Sequence, residues 1–219
     1  MLRSSNAHRG RLQRIYIYKL TVDAGAAPCI RQNVLSLAIC KPTIRRVASE
    51  GDLIFGFTAN SLDNRNRLIF AATITKKLAK GEYFRKRKYL SREDCIYRYQ
   101  SGRLVRRKNA KYHERPQDLV HDLGHQPDYV RSNVLLSSDF RYYGAAGTDE
   151  YKSHFPLIRR AVENLGRGHR VNLSRSLADE FLQLKLHLWC LSARRVLGQP
   201  TNKPTREACY RGGTWKELC

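Results

Sequence analysis

The chain has 219 residues, long enough to bury a sizeable core without disulfide or metal staples. Its 41 Lys and Arg against 19 Asp and Glu leave a net charge of +22, so the folded chain repels itself and gains from a polyanionic partner. No apolar run approaches the length of a membrane span and the basic start lacks the apolar stretch of a secretion signal, so the chain is expected to be cytoplasmic, with nucleic acid ahead of a membrane surface as its partner.

Residues 1–13 read as a flexible basic arm. The run RIYIYKLTV (14–22) alternates β-branched and aromatic residues, which predicts a strand; 23–28 is a Gly/Ala/Pro loop and 34–40 a short apolar stretch. Pro42 sits where the first turn of a helix tolerates its missing N–H, and the helix is expected over 43–49. After a Gly51-Asp52 turn, LIFGFT (53–58) and RLIFAATIT (67–75) predict an antiparallel strand pair. Residues 76–116 are the most basic part, with Tyr and Phe interleaved among Lys and Arg, and 117–133 read as a loop around HDLGHQPD. A strand over 134–137 runs into SSDFRYYG. Two helices follow. Ser153 caps the first, which carries Phe155, Ile158, Val162 and Leu165 and stops at Gly166. Ser174 or Ser176 caps the second, with an apolar stripe of Leu177, Phe181, Leu184, Leu188 and Leu191 and with Arg194 and Arg195 in its last turn. Strands followed by helices predict an α+β fold: one domain over 14–200, a small, mostly antiparallel β-barrel or sheet covered by C-terminal helices, then a tail over 201–219.

The six cysteines (Cys29, Cys40, Cys95, Cys190, Cys209 and Cys219) contain no CxxC pair and read as reduced thiols filling apolar space. His121 and His125 have ligand spacing for a helix, but Gly124 and Pro127 argue against a helix there, so no metal is expected. The chain has no phosphate-binding GxxxxGK[ST] loop, no GxGxxG after a strand and no GxSxG, so no cofactor is expected either.

Lys41, Arg45 and Arg46 group cations within about a helical turn, and Arg85, Lys86 and Arg87 lie in the basic run. All are candidates for phosphate contact, against a plain solvated basic face. Asp94, His113 and Asp139 are the acid–base candidates, and a cleft in which either Asp meets His113 would favour catalysis. Asp94 could equally pair with Arg92 or cap a turn. Tyr97, Ser138, Tyr142 and Tyr143 are candidates for holding a base by stacking and hydrogen bonding; the competing reading puts at least one of Tyr97 and Tyr99 in the core, with Phe140. Trp189 is expected at the core edge.

The unit CKPTIRRVASEGDLIFGFT (40–58) followed by RLIFAATIT resembles the core of PUA-like domains, the group with EVE and YTH modules, which commonly hold a base in a cleft. CKPTIRR, GDLIFGF, SREDCIYRY, KYHE and VLLSSDFRYYG, in that order, resemble the nucleotide modification associated domain 2 family. Cys95 stands where that pattern has Asn, which weakens any role needing an amide there. The resemblance implies a link to DNA base hypermodification in bacteria and phages. DNA is then expected ahead of RNA, with base-modification enzymes as possible partners. Three functions remain open: a module that reads a flipped or modified base, an enzyme that modifies or processes a nucleobase or nucleotide, and a basic accessory subunit.

Overall fold

The computed structural model describes residues 11–166 and 168–202. In chain order the first half carries β1 (Ile15–Leu20), β2 (Cys29–Arg31), β3 (Val34–Leu37), α1 (Pro42–Val47), β4 (Leu53–Thr58), β5 (Leu68–Thr73), β6 (Lys76–Leu78) and α2 (Glu82–Arg85). The second half carries β7 (Tyr97–Gln100), β8 (Arg103–Arg106), α3 (Pro116–Leu123), β9 (Val134–Ser137), β10 (Asp139–Tyr142), α4 (Tyr151–His154), α5 (Pro156–Glu163), β11 (His169–Arg170) and α6 (Arg175–Leu191).

The two-residue period of β1 explains the layers. Ile15 and Ile17 face a core shared with Phe181, Leu184 and Leu188 of α6, whereas Tyr16, Tyr18 and Leu20 face one shared with Leu35, Leu37 and Leu135 of a second sheet. One sheet has the order β10-β5-β4-β1-β11 and the other β2-β3-β9-β6; β7 and β8 form a separate hairpin. Both larger sheets keep two edges, so the expected fold resolves as α+β sheets with C-terminal helices on one face rather than a closed barrel. Among the named strands pairing is antiparallel except for β1 with β4, which run parallel from Ile15↔Leu53 to Leu20↔Thr58. Gly56, beside a register shift in β4, allows close packing: a Cβ there would lie 2.3 Å from Phe70 Cε1.

Three expectations change. The stretch read as a loop begins with α3: Pro116 opens it and Asp118 accepts from the Arg115 N–H at 2.8 Å, while Gly124 and Pro127 act only after it has ended. The single helix expected from Ser153 is two, because Pro156 restarts the chain after a non-helical Phe155. Arg194 and Arg195 lie past the end of α6 rather than in its last turn. Ser174 is the cap of α6, accepting from the Leu177 N–H. Arg11 and Gln13, placed in the basic arm by the sequence, donate to Asp52 and Gly51; the rest of that arm, residues 1–10, and residues 203–219 of the tail lie outside the described residues. Among the described residues no helix is long and apolar enough to cross a membrane.

Candidate functional site

Strand β3 gives way to Ala38 and Ile39, both buried, and the chain then turns at Cys40 and Lys41 before Pro42 starts α1. Cys40 (φ 57°) and Lys41 (φ 43°) both adopt the left-handed region, which L side chains rarely occupy and which marks stored backbone strain. The strand–turn–helix passage thus puts a cysteine at a sharp bend.

His113, also left-handed (φ 53°), comes from the segment between β8 and α3. Its Nδ1 lies 2.6 Å from Asp122 Oδ2, and its Nε2 lies 3.5 Å from Cys40 Sγ. The short contact with the ionised carboxylate calls for a proton on Nδ1; in the neutral imidazole Nε2 then carries the lone pair that faces the sulfur. Asp122 is fixed from several sides: Tyr97 OH donates to Oδ2 at 2.8 Å, and the Cys40 N–H donates to Oδ1 at 2.9 Å. Burial works to raise the Asp122 carboxyl, but His113, Arg45 and Tyr97 outweigh it and hold the group at about 2, so it stays ionised. Arg45 locks the frame. Its Nε donates to Cys40 O at 2.6 Å, and its two terminal nitrogens reach Arg131 O, Asn133 O and Asp122 O at 2.7–2.9 Å.

Cys40 opens on a small apolar pocket of about 40 Å³, walled by Leu20, Val22, Ala24, Ala26, Ile39 and Lys41. The loop carrying Ala24 and Ala26 is held through Asp23: its carboxylate accepts from Tyr142 OH at 2.9 Å and from the Thr201 N–H at 3.0 Å, and its own N–H donates to Asn202 Oδ1 at 2.9 Å. Burial pushes the other core thiols up, Cys29 to about 12 and Cys95 to about 11, so these two are fillers as read from the sequence. Cys40 was read the same way; unlike those two, it lies beside a histidine ring.

His113 is brought into a convergent site, but with neither acid expected beside it. Asp94 is wholly buried, accepting from Tyr83 OH at 2.7 Å and from Ser36, with Arg92 Nε at 3.6 Å; it joins β3 to the basic segment and meets no cleft with His113. Asp139 lies on the edge strand β10, where it accepts from Trp189 Nε1 at 2.6 Å and from Thr73 at 2.7 Å. Burial alone would raise it, yet those bonds, Lys185 and Arg141 leave its carboxyl below the ordinary value. The half-buried Trp189 packs at the core edge, as expected, with Arg141 over its ring.

The residues expected to hold a base do not form one pocket. Tyr97 and Tyr142 are buried with their hydroxyls on Asp122 and Asp23, so neither ring has a face to offer a ligand. Ser138 is exposed, its N–H on Thr75. Tyr143, half-buried, walls a separate pocket of about 200 Å³ with Tyr151, His154, His187 and Leu191. Phe140 is in the core, as expected. Of the cations, Arg45 is corrected outright: it is fully buried and its guanidinium is occupied by protein oxygens, which leaves nothing for phosphate. Lys41 is half-buried with its Nζ 4.8 Å from the Tyr18 ring centre. Arg46, Arg85 and Arg87 are exposed; Lys86 pairs with Glu82, and Arg85 stacks 4.0 Å over Tyr99. Among the described residues no group of three His, Cys, Asp or Glu side chains could hold a metal ion.

Comparison with the curated proteins and with the solved structures gives no match. The profile of nucleotide modification associated domain 2 matches residues 12–203, which takes in both sheets, the hairpin and the Cys40 site. By that match the chain belongs to the nucleotide modification associated domain 2 family.

Proposed function

We propose that the protein is an enzyme that uses Cys40 as a nucleophile on a nucleotide or nucleic-acid substrate. The observation that carries this reading is the line Asp122–His113–Cys40, at 2.6 and 3.5 Å, on a strained turn beside a pocket. A nucleophile next to a base that is itself oriented by a third group is the general pattern of covalent catalysis, and the contact is often loose before substrate binds. His113 Nε2 takes the thiol proton, Asp122 stabilises the imidazolium formed, and the thiolate attacks an electrophilic carbon lodged in the apolar pocket. The pocket takes a small group, such as an acyl or carboxamide substituent, rather than a whole base. The family and the net charge of +22 support a nucleotide or polynucleotide as the carrier of that group.

Peptide-mapped alkylation by iodoacetamide tests this. Cys40 should react with a midpoint well below the ~8.5 of a free thiol, and His113→Ala should move that midpoint back toward it. An ordinary thiol profile in the parent protein, unmoved by His113→Ala, overturns the reading.

A second reading, recognition of a flipped or modified base on DNA, is favoured by one feature: Tyr143 and two histidines around the 200 Å³ pocket. The PUA-like resemblance of the α1–β4–β5 unit belongs with it. Under this reading Arg46, Arg85 and Arg87 contact phosphate, and base-modification enzymes supply the chemistry. Tyr143→Ala should then lower selectivity between base types more than overall affinity in DNA-binding titrations; equal loss on all sequences counts against it.

A further inference from the structure

We propose that the cleft at the base of the β7–β8 hairpin seats one phosphodiester of a polynucleotide, and that the cations flanking it hold the neighbouring phosphates. This rests on the nucleotide-carrier reading above and narrows the carrier to a polymer. Residues 80–111 are about a seventh of the chain, yet they hold 12 of its 41 Lys and Arg and only 3 of its 19 Asp and Glu. That surplus of 9 is a large share of the net +22, gathered around a hairpin that stands apart from both larger sheets.

The cleft has a volume of about 220 Å³. Ser91 lines it from the chain before β7, and Arg107, Asn109 and Lys111 line it from the chain leaving β8. Arg107 is pre-oriented. Its backbone N–H donates to Ile96 O at 2.8 Å, and its Nη1 donates to Leu90 O at 2.6 Å and Cys95 O at 3.1 Å, which leaves Nε and Nη2 outside those bonds. A guanidinium fixed in this way loses little freedom when it meets a phosphate. Glu93, the acid of the lining, is met by Lys111 at 3.3 Å; both are exposed, so the pair is weak and open to exchange. Arg87 and Lys88 precede the cleft and Lys108 lies within its second wall segment; all three are exposed, and none has an acidic partner among the described residues. The rings of this unit are taken by the protein: Tyr83 stacks on Tyr89 at 4.5 Å, Phe84 meets Tyr97 edge-on at 5.5 Å, and Arg85 lies 4.0 Å over Tyr99. Affinity here therefore comes from backbone phosphate and does not depend on sequence. A lipid surface fits less well, because Leu90, at 36 %, is the one large apolar side chain of this unit exposed among the described residues. The cleft is also joined to the Cys40 site: Arg106, at the end of β8, donates to Ala110 O at 2.7 Å and Tyr112 O at 3.0 Å, directly before His113.

Fluorescence anisotropy with labelled DNA duplexes of unrelated sequence, across a salt series, tests the assignment. Arg107→Gln, Lys111→Gln and Lys108→Ala should each lower the log–log slope by about 1 and weaken binding by the same factor on every duplex. Glu93→Gln should tighten binding instead. Arg160→Ala and Arg175→Ala, which remove exposed cations on the helical side, should leave the slope at the parent value. Adenosine monophosphate should displace the duplex poorly, since it meets the cleft without the flanking cations. A parent slope in all three cleft variants, an equal fall in Arg160→Ala and Arg175→Ala, or ready displacement by the mononucleotide overturns the assignment. So does binding to phosphatidylserine vesicles without binding to DNA. The iodoacetamide profile of Cys40 is read in the same variants and should stay at the parent value. If Cys40 alkylates as an ordinary thiol while the slopes fall as stated, the nucleophile reading fails alone and this surface stands.

Discussion

Asp122 performs several tasks with one carboxylate: it orients His113, anchors the Cys40 backbone and faces the buried Arg45. Removing it leaves a guanidinium without its counter-charge in the interior. Asp122→Ala should therefore destabilise the fold by about 3–5 kcal/mol in urea titrations, even though Arg45 keeps its carbonyl partners. Because its folded value of about 2 is below the ordinary one, Asp122 adds stability that is complete above about pH 4 and is lost as pH falls toward 2. Melting temperature should drop across that window, and Asp122→Asn should flatten the drop. Asp94 acts in the opposite sense: burial raises it, so its protonation in mild acid favours the folded state. Part of this site was legible. His113 stood out as a possible base, but Cys40 in an apolar run looked like packing, and Asp122 was obscured by the flanking His121 and His125, whose spacing drew attention to metal. The usable signal was a cysteine between a short strand and a proline-started helix, the place where a chain bends sharply enough to present a side chain.

Among elements, the strands with strict alternation and the helices with a continuous stripe were readable, because burial on one face repeats every two or every 3.6 residues. Thus β1, β4, β5 and α6 fall where the pattern puts them. α3 was missed since its only buried residues are Asp118, Asp122 and Leu123, so polar contacts rather than an apolar stripe hold its inner face. Arg194 and Arg195 were expected in the last turn of α6, yet the segment they open pairs with the end of β10: Tyr142 N–H donates to Arg195 O and Leu197 N–H to Tyr142 O, both at 2.8 Å. Gly144 permits this approach. Its φ is +52°, and a Cβ there would lie 2.0 Å from Gln199 O. Gly144→Ala should lower stability by about 1–3 kcal/mol and speed hydrogen exchange at Leu197 more than at Phe55 in the sheet centre.

For the molecule as a whole, the charge excess was plain from composition, but which cations reach solvent was not: Arg45 and Arg92 are interior, while Arg46, Arg85 and Arg87 are on the surface. On the DNA-binding reading, affinity for duplex DNA should weaken steeply with salt. Arg46→Ala and Arg85→Ala should each reduce the log–log slope by about 1 if they meet phosphate, and Arg45→Ala should act on folding instead.

The tether at Asp23 bears on how the protein is made. Asp23 and Asn202 are 179 positions apart, yet they fix the loop whose Ala24 and Ala26 line the pocket with Cys40. During synthesis Cys40, His113 and Asp122 all leave the ribosome well before Thr201 and Asn202 arrive. On the nucleophile reading, a nascent or clipped chain thus carries the trio with the Asp23 carboxylate beside it held, among the described residues, by Tyr142 alone, and Thr201 and Asn202 complete the tether.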